Sequence, residues 1–263
     1  MILTTEPDTG GTSKRAAFKN WITFPMPWWY MVFVVPVMWW SMPFFKGRPW
    51  ITPNHITVIS FLVALVAAGL ILLDMWWCYL LAGILVHASY SLDCIDGMVA
   101  RMNSMTSKWG AFLDLYLDRW KLLAYTLSLL WVSQVNHYDI ITTILIVLNL
   151  GLAGFNVFMS FAVRELIGAA RWSEGKVGEA IKSGGYLGRW MAYTDRVGIR
   201  PTIGDIEADM AAFCVGLIVT SLMGWEWIRA FLIVSILIHL GPLQMGHLYF
   251  AWRYLPRETS PKE

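Results

Sequence analysis

Charged residues and cysteines are both scarce in this sequence, and their scarcity excludes several classes of protein. Only 14% of the 263 residues are charged and 57% are hydrophobic, a balance outside the usual range of soluble globular domains. The three cysteines, Cys78, Cys94 and Cys214, lack metal-ligand spacing, which argues against a zinc site or a disulfide framework. A formal net charge of +2 gives no reason to expect nucleic-acid binding. Composition therefore predicts an integral membrane protein.

Six apolar stretches are long enough to cross a bilayer as helices of roughly 20 residues. They cover approximately residues 55–73, 75–93, 111–133, 139–163, 206–224 and 228–250. The turns on one side contain almost no Lys or Arg, whereas the connections on the other side are rich in both, and the positive-inside rule assigns that side to the cytoplasm. The pattern predicts an all-α, multi-pass membrane fold with a six-transmembrane-helix core and both termini in the cytoplasm.

Residues 25–50 form an apolar segment that is broken by Pro25, Pro27, Pro36 and Pro43. The stretch between the second and fourth prolines is short for a hydrocarbon core of about 30 Å, and a crossing would place the basic N-terminus outside. We therefore predict an N-terminal interfacial juxtamembrane helix, with a seventh span as the alternative. The chain then divides into a cytoplasmic N-terminus with this helix (1–50), a membrane domain (51–255) and a cytoplasmic tail (256–263).

Four aspartates lie at one depth, where the second apolar stretch ends and the third begins. Helical spacing of three and four residues places them on two facing stripes together with small residues. One stripe consists of Asp93, Asp96, Gly97 and Ala100, and the other of Gly110, Asp114 and Asp118. Carboxylates so close together repel each other unless hard divalent cations such as Mg²⁺ or Mn²⁺ hold them ionised. The alternative, in which these acids are only helix caps and loop acids, does not explain the interleaved glycines.

The same residues suggest how a phosphorylated ligand is bound. Two divalent ions held by the aspartates would bridge and neutralise a pyrophosphate. Arg101 would add a fixed, forked positive charge to a phosphate oxygen. Because the basic connections lie on the same side as the aspartates, we expect the site at the cytoplasmic face.

The run Asp93-x-x-Asp96-Gly97-x-x-Ala100-Arg101, eight residues, Gly110-x-x-x-Asp114-x-x-x-Asp118 resembles the signature of the CDP-alcohol phosphotransferase family. Residues 52–57, TPNHIT, are similar to the family's entry into its first core helix. The resemblance implies that all four aspartates bind metal, that Asp114 and Asp118 are catalytic, and that Asp118 is the base on the acceptor hydroxyl. The residues implied to contact CDP are Asn54, Thr57, Gly97, Ala100, Arg101 and Gly110. The resemblance also implies a homodimer.

The family reaction displaces CMP from a CDP-linked alcohol by a second alcohol and forms a phosphodiester. Leu115 stands where the choline and ethanolamine branch commonly has His, so the sequence is more similar to the branches that use CDP-diacylglycerol-type or CDP-inositol donors. Of these, CDP-diacylglycerol is the expected donor. Glycerol 3-phosphate, inositol and inositol phosphate are the candidate acceptors. The basic residues expected to bind the acceptor's phosphate are Lys182, Arg189, Arg196 and Arg200. Alternatively, these residues only follow the positive-inside rule and contact anionic lipid headgroups.

Three other functions stay open. An aminoalcohol phosphotransferase of the CDP-choline or CDP-ethanolamine type, acting on diacylglycerol, carries out the same displacement. A membrane prenyltransferase also uses acids and magnesium on a diphosphate, although its acid clusters normally have a different spacing. A cation channel, carrier or lipid-binding scaffold would use the acids to hold ions, but the sequence lacks the inverted repeats and broken midplane helices typical of carriers.

Overall fold

The computed structural model describes residues 29–48, 50–167, 208–245 and 247–248, and every regular element within these ranges is helical. The predicted all-α fold class is therefore confirmed. Three helices are long and apolar enough to cross a membrane: Pro53–Leu72, Trp76–Met102 and Ile140–Val163. One shorter apolar helix, Tyr30–Phe45, precedes them in the chain, and two, Met210–Met223 and Trp227–Leu243, follow. The helices agree with a membrane protein, and the count of six spans stays a prediction.

The helices are α1 (Val35–Phe45), α2 (Pro53–Leu72), α3 (Trp76–Met102), α4 (Lys108–Val135), α5 (Ile140–Ile167), α6 (Gly216–Met223) and α7 (Trp227–Ile238). Three π-helical segments extend them, Tyr30–Val34 before α1, Met210–Val215 before α6 and His239–Leu243 after α7. Local sequence explains two of the helix starts. The Ser107 hydroxyl accepts a hydrogen bond from the Gly110 N–H at 2.9 Å, and Thr52 caps α2 ahead of Pro53.

Helices α3 and α4 extend further towards each other than the apolar stretches alone indicated. The apolar stretches suggested spans ending near residue 93 and starting near residue 111, but α3 continues to Met102 and α4 begins at Lys108. A tight connection joins them, in which Ser104 has a φ of 56°. All four aspartates of the predicted site consequently lie on regular helices, where neighbouring turns hold their positions.

Helix α2 lies between α3 and α4 and contacts both, while α6 packs on α3 and α7 packs on α5. Small residues on α2, Ala64, Ala67 and Ala68, are buried in the main apolar cluster and let neighbouring helices approach closely. A second cluster joins α1 to the start of α2 and to the aspartate-bearing end of α3. Its members include Met38, Ile56 and Met98. The N-terminal helix is therefore attached to the end of the bundle that carries the site.

At the opposite end of the bundle, polar and ring contacts link the α2–α3, α4–α5 and α6–α7 connections. Asp74, between α2 and α3, accepts a hydrogen bond from Asn136 at 2.9 Å and one from Tyr79, and lies 3.1 Å from His137. The His137 ring stacks on Trp225, with 4.3 Å between ring centroids. Trp225 in turn donates to Asp139 at 3.1 Å. We call this group of residues, together with Thr142 and Arg229, the far-end network.

Gly83 marks a close approach between α3 and the segment leading into α6. A Cβ at this position would lie 2.7 Å from Ile218 Cγ1 and 2.8 Å from the Cys214 carbonyl oxygen. We expect Gly83→Ala to destabilise the fold by about 1–3 kcal/mol, because the backbone carbonyl cannot move aside. Thermal unfolding in detergent measures the effect. Gly69→Ala is the matched control, since nothing lies within 4 Å of a Cβ there; similar losses of Tm in both variants would contradict this helix contact.

Candidate active site

The structure brings three of the four predicted aspartates together. One carboxylate oxygen from each of Asp93, Asp114 and Asp118 lies within 4.8 Å of the other two. Asp93 comes from α3, whereas Asp114 and Asp118 stand one turn apart on α4. Two helices therefore present their acids to one point, as the spacing predicted, and we call these three residues the aspartate cluster.

Asp96 lies one turn further along α3 and is buried, with 5% of its surface exposed. Its Oδ2 accepts a hydrogen bond from the Thr57 hydroxyl of α2 at 2.5 Å. Thr57 itself is buried, and its hydroxyl also lies 3.1 Å from the Pro53 carbonyl oxygen. The hydroxyl that was predicted to touch a nucleotide is thus engaged with a carboxylate, which it holds in a defined orientation.

The aspartate cluster has the properties of a divalent metal site. Asp114 Oδ1 is buried, and within the described ranges no donor forms a hydrogen bond with it. A buried carboxylate oxygen in this state is unfavourable unless a cation binds it. Oxygen-only ligand sets are those that Mg²⁺ and Mn²⁺ prefer. The residues present therefore fit such an ion.

Lys121 was not among the residues that the sequence predicted for the site. Its ammonium forms an ion pair with Asp93 and a second one with Asp118 at 3.0 Å, and only 7% of the residue is exposed. A signal was present in the sequence, because Lys121 follows Asp118 by three residues and Asp114 by seven. That spacing places all three on one face of α4.

The residues implied to contact CDP stand at the start of α2, the end of α3 and the start of α4. The Arg101 guanidinium lies over Gly97, with Nη1 3.4 Å from the position that a Cβ would take. Gly110 faces Asn54, whose Oδ1 would lie 3.2 Å from an added Cβ. The missing side chains leave room for the Arg101 guanidinium beside α3 and for the Asn54 amide beside α4. Ala100, on α3, is partly exposed and adds little bulk.

The four basic residues predicted to bind the acceptor's phosphate fall outside the described residues. They are Lys182, Arg189, Arg196 and Arg200. Their role stays a prediction.

Comparison with known proteins relates the chain to one family. A model of the CDP-alcohol phosphatidyltransferase family matches residues 50–183. An archaetidylinositol phosphate synthase from Pyrococcus horikoshii is 42% identical over 69 residues, 26% of this chain and 35% of that protein. A bifunctional IPC transferase and DIPP synthase from Thermococcus kodakarensis is 43% identical over 70 residues, 27% of this chain and 15% of that protein. The matched region thus spans about a third or less of each curated relative.

The fold is also similar to a solved structure. The crystal structure of the Mycobacterium tuberculosis phosphatidylinositol phosphate synthase with CDP-DAG bound superposes with a TM-score of 0.56. The match covers 86% of this chain and 98% of that one, at 16% sequence identity. At this identity the likeness establishes a shared helical fold.

Proposed function

The chain belongs to the CDP-alcohol phosphatidyltransferase family, and on that premise we propose that it is a membrane enzyme that displaces CMP from CDP-diacylglycerol by an acceptor alcohol. Membership confirms the resemblance that the aspartate spacing showed. The observation that carries the proposal is the convergence of oxygens from Asp93, Asp114 and Asp118 within 4.8 Å. Arg101, whose guanidinium lies beside Gly97, offers positive charge for a diphosphate.

Each residue of the site has a role in this proposal. A divalent ion, Mg²⁺ or Mn²⁺, when bound by the aspartates, supplies positive charge that neutralises the diphosphate. Arg101 holds a phosphate oxygen, and Asn54, Ala100 and Gly110 line the nucleotide. Thr57 positions Asp96 towards the same ligand.

Asp118 is the proposed base. Its side chain is 37% exposed, compared with 14% for Asp93, so an acceptor can reach it. The carboxylate takes the proton of the acceptor hydroxyl while that oxygen forms a bond to the lipid-linked phosphorus. The bond from this phosphorus to the CMP oxygen breaks, and CMP leaves.

An inositol phosphate is the acceptor that we place first, ahead of inositol and glycerol 3-phosphate. Two of the similar proteins have names that describe synthases of lipids with an inositol phosphate headgroup, archaetidylinositol phosphate and phosphatidylinositol phosphate. We propose that four basic residues between the fourth and fifth predicted spans bind the phosphate of such an acceptor. They are Lys182, Arg189, Arg196 and Arg200.

We further propose the arrangement in the membrane that the charge pattern suggests. It has a six-transmembrane-helix core, both termini in the cytoplasm and the aspartates at the cytoplasmic face. Helix α1 then lies in the headgroup region, which its exposed Trp40 and Phe44 and the position of Arg48 over the Phe44 ring support. A homodimer is proposed on the family resemblance.

The test is a transfer assay with purified protein in detergent. We expect CMP release when CDP-diacylglycerol, Mg²⁺ or Mn²⁺ and one acceptor are all present, and none after addition of a chelator. The acceptor panel contains inositol phosphate, inositol and glycerol 3-phosphate, and product mass identifies the one used. CDP-choline with diacylglycerol and a prenyl diphosphate are included as alternative substrates. Turnover of either one without any turnover of CDP-diacylglycerol would overturn the proposal, as would ion flux in liposomes without nucleotide consumption.

A further inference from the structure

Lys121 occupies part of the space in which the aspartate cluster would hold metal. Its ammonium pairs with Asp93 and Asp118, which are two of the three acids in the cluster. Lys121 is therefore already bound to oxygens that a pair of divalent ions would need. Asp114 is different, because its buried Oδ1 has no hydrogen-bond donor within the part of the chain that the structure describes.

If a second divalent ion displaced the Lys121 ammonium from its carboxylates, the ammonium would have no other favourable position. Its side chain is only 8% exposed. The next residues on the same face of α4 are Tyr125 and Leu129, both buried in the apolar core. A positive charge moved among them without a carboxylate partner would be destabilised by several kcal/mol. The stem of Lys121 instead extends back towards Asp118, as a lysine does when it snorkels towards a polar region.

Charge neutrality leads to the same conclusion. Asp93, Asp96, Asp114 and Asp118 bring four negative charges, of which Lys121 offsets one. One divalent ion then leaves a single net negative charge, whereas two ions would make the group positive before any ligand binds. A resident ammonium thus supplies part of the positive charge that keeps the carboxylates ionised, which the sequence assigned to divalent ions alone.

We propose that Lys121 is a built-in cation that takes the place of one divalent ion, so that each chain binds a single Mg²⁺ or Mn²⁺ on the Asp114 side of the aspartate cluster. This inference rests on the proposed function only in taking the aspartates as metal ligands. It replaces the expectation of two ions per site, and it makes Lys121 a positioning residue that sets the metal stoichiometry.

The experiment counts Mn²⁺ bound to the full-length protein in a neutral detergent, without nucleotide, by electron paramagnetic resonance of the free ion. We expect one Mn²⁺ per chain in the wild type and two in Lys121→Met, which keeps the length and burial of the side chain but removes its charge. Lys121→Arg keeps the charge and should bind one ion. Lys108→Met is the matched control, since Lys108 is exposed at the start of α4, and it should also bind one.

Several outcomes would overturn the inference. Two ions in the wild type would do so, as would no ion at all, or one ion in both the wild type and Lys121→Met. Folding of each variant is checked by the protection of the buried thiols of Cys78 and Cys214 against a fluorescent maleimide. If Lys121→Met does not fold, Lys121→Gln takes its place, and the wild-type count decides in either case. Because no substrate is present, the ion count and CMP release fail independently of each other.

Discussion

We expect the Asp114→Asn protein to release CMP from CDP-diacylglycerol about a hundredfold to a thousandfold more slowly than the wild type. Asn has nearly the shape of Asp, but its amide nitrogen repels a cation and its oxygen carries no full charge. Asp114 Oδ1 is buried and receives no hydrogen bond from the described residues. A bound cation would therefore stabilise its negative charge. The substitution should also abolish tight Mn²⁺ binding, which can be measured without substrate.

The fold of Asp114→Asn should be intact. In the presence of a chelator we expect its Tm to equal or exceed that of the wild type, because one of several like charges has been removed. Asp74→Asn is the matched control, since Asp74 is a partly buried acid at the other end of the bundle. It should release CMP at close to the wild-type rate even if its Tm falls. Wild-type release from Asp114→Asn would refute the proposed role of the aspartate cluster.

The second large effect is on stability, at Asp139 of the far-end network. Asp139 Oδ2 accepts hydrogen bonds from Arg229 at 2.7 Å and Trp225 at 3.1 Å, and its side chain is only 5% exposed. We expect Asp139→Asn to lower the free energy of unfolding by about 3 kcal/mol, because it leaves a partly buried guanidinium without its main partner. Maleimide labelling of Cys78 and Cys214 during a thermal ramp measures the change.

Glu226→Gln is the matched control for Asp139→Asn. Glu226 pairs with the same guanidinium at 2.8 Å, but its side chain is 72% exposed. An exposed ion pair of this kind contributes less than about 1 kcal/mol. If Glu226→Gln destabilised the protein as much as Asp139→Asn, burial would not be the reason for the effect.

The far-end network should also make stability depend on pH. Burial raises the pKa of Asp139, but hydrogen bonds from Thr142, Arg229 and Trp225 outweigh it and hold the pKa well below its ordinary value. Burial likewise raises the pKa of Asp74, and hydrogen bonds from Tyr79, Asn136 and His137 reverse the shift.

A lowered folded-state pKa means that stabilisation is complete above the unfolded value of about 3.9 and is lost as the pH falls towards the folded value. The wild-type Tm should therefore fall steeply below about pH 4, and that of Asp139→Asn less steeply. Parallel curves for the two proteins would show that Asp139 does not carry this dependence.

Much of the candidate site followed from spacing along single helices. Intervals of three and four residues put Asp93 with Asp96, and Asp114 with Asp118, on defined faces of α3 and α4. The apolar stretches marked only part of these helices, because a search for apolar stretches stops at the first charges, whereas the spacing of the acids predicted helix as far as Ala100 and from Gly110 onwards. The backbone hydrogen bonds of a helix continue through charged residues when their side chains face a polar site.

The sequence by itself determined a helical membrane protein with paired acidic stripes, since composition and periodicity are properties of each segment alone. Only the tertiary structure decided which side chains meet across segments: Thr57 with Asp96, Lys121 with Asp93, and Asp139 with Arg229. Periodicity specifies the face of a helix on which a residue lies. It does not specify which other helix that face will contact, because packing of the whole bundle sets that choice.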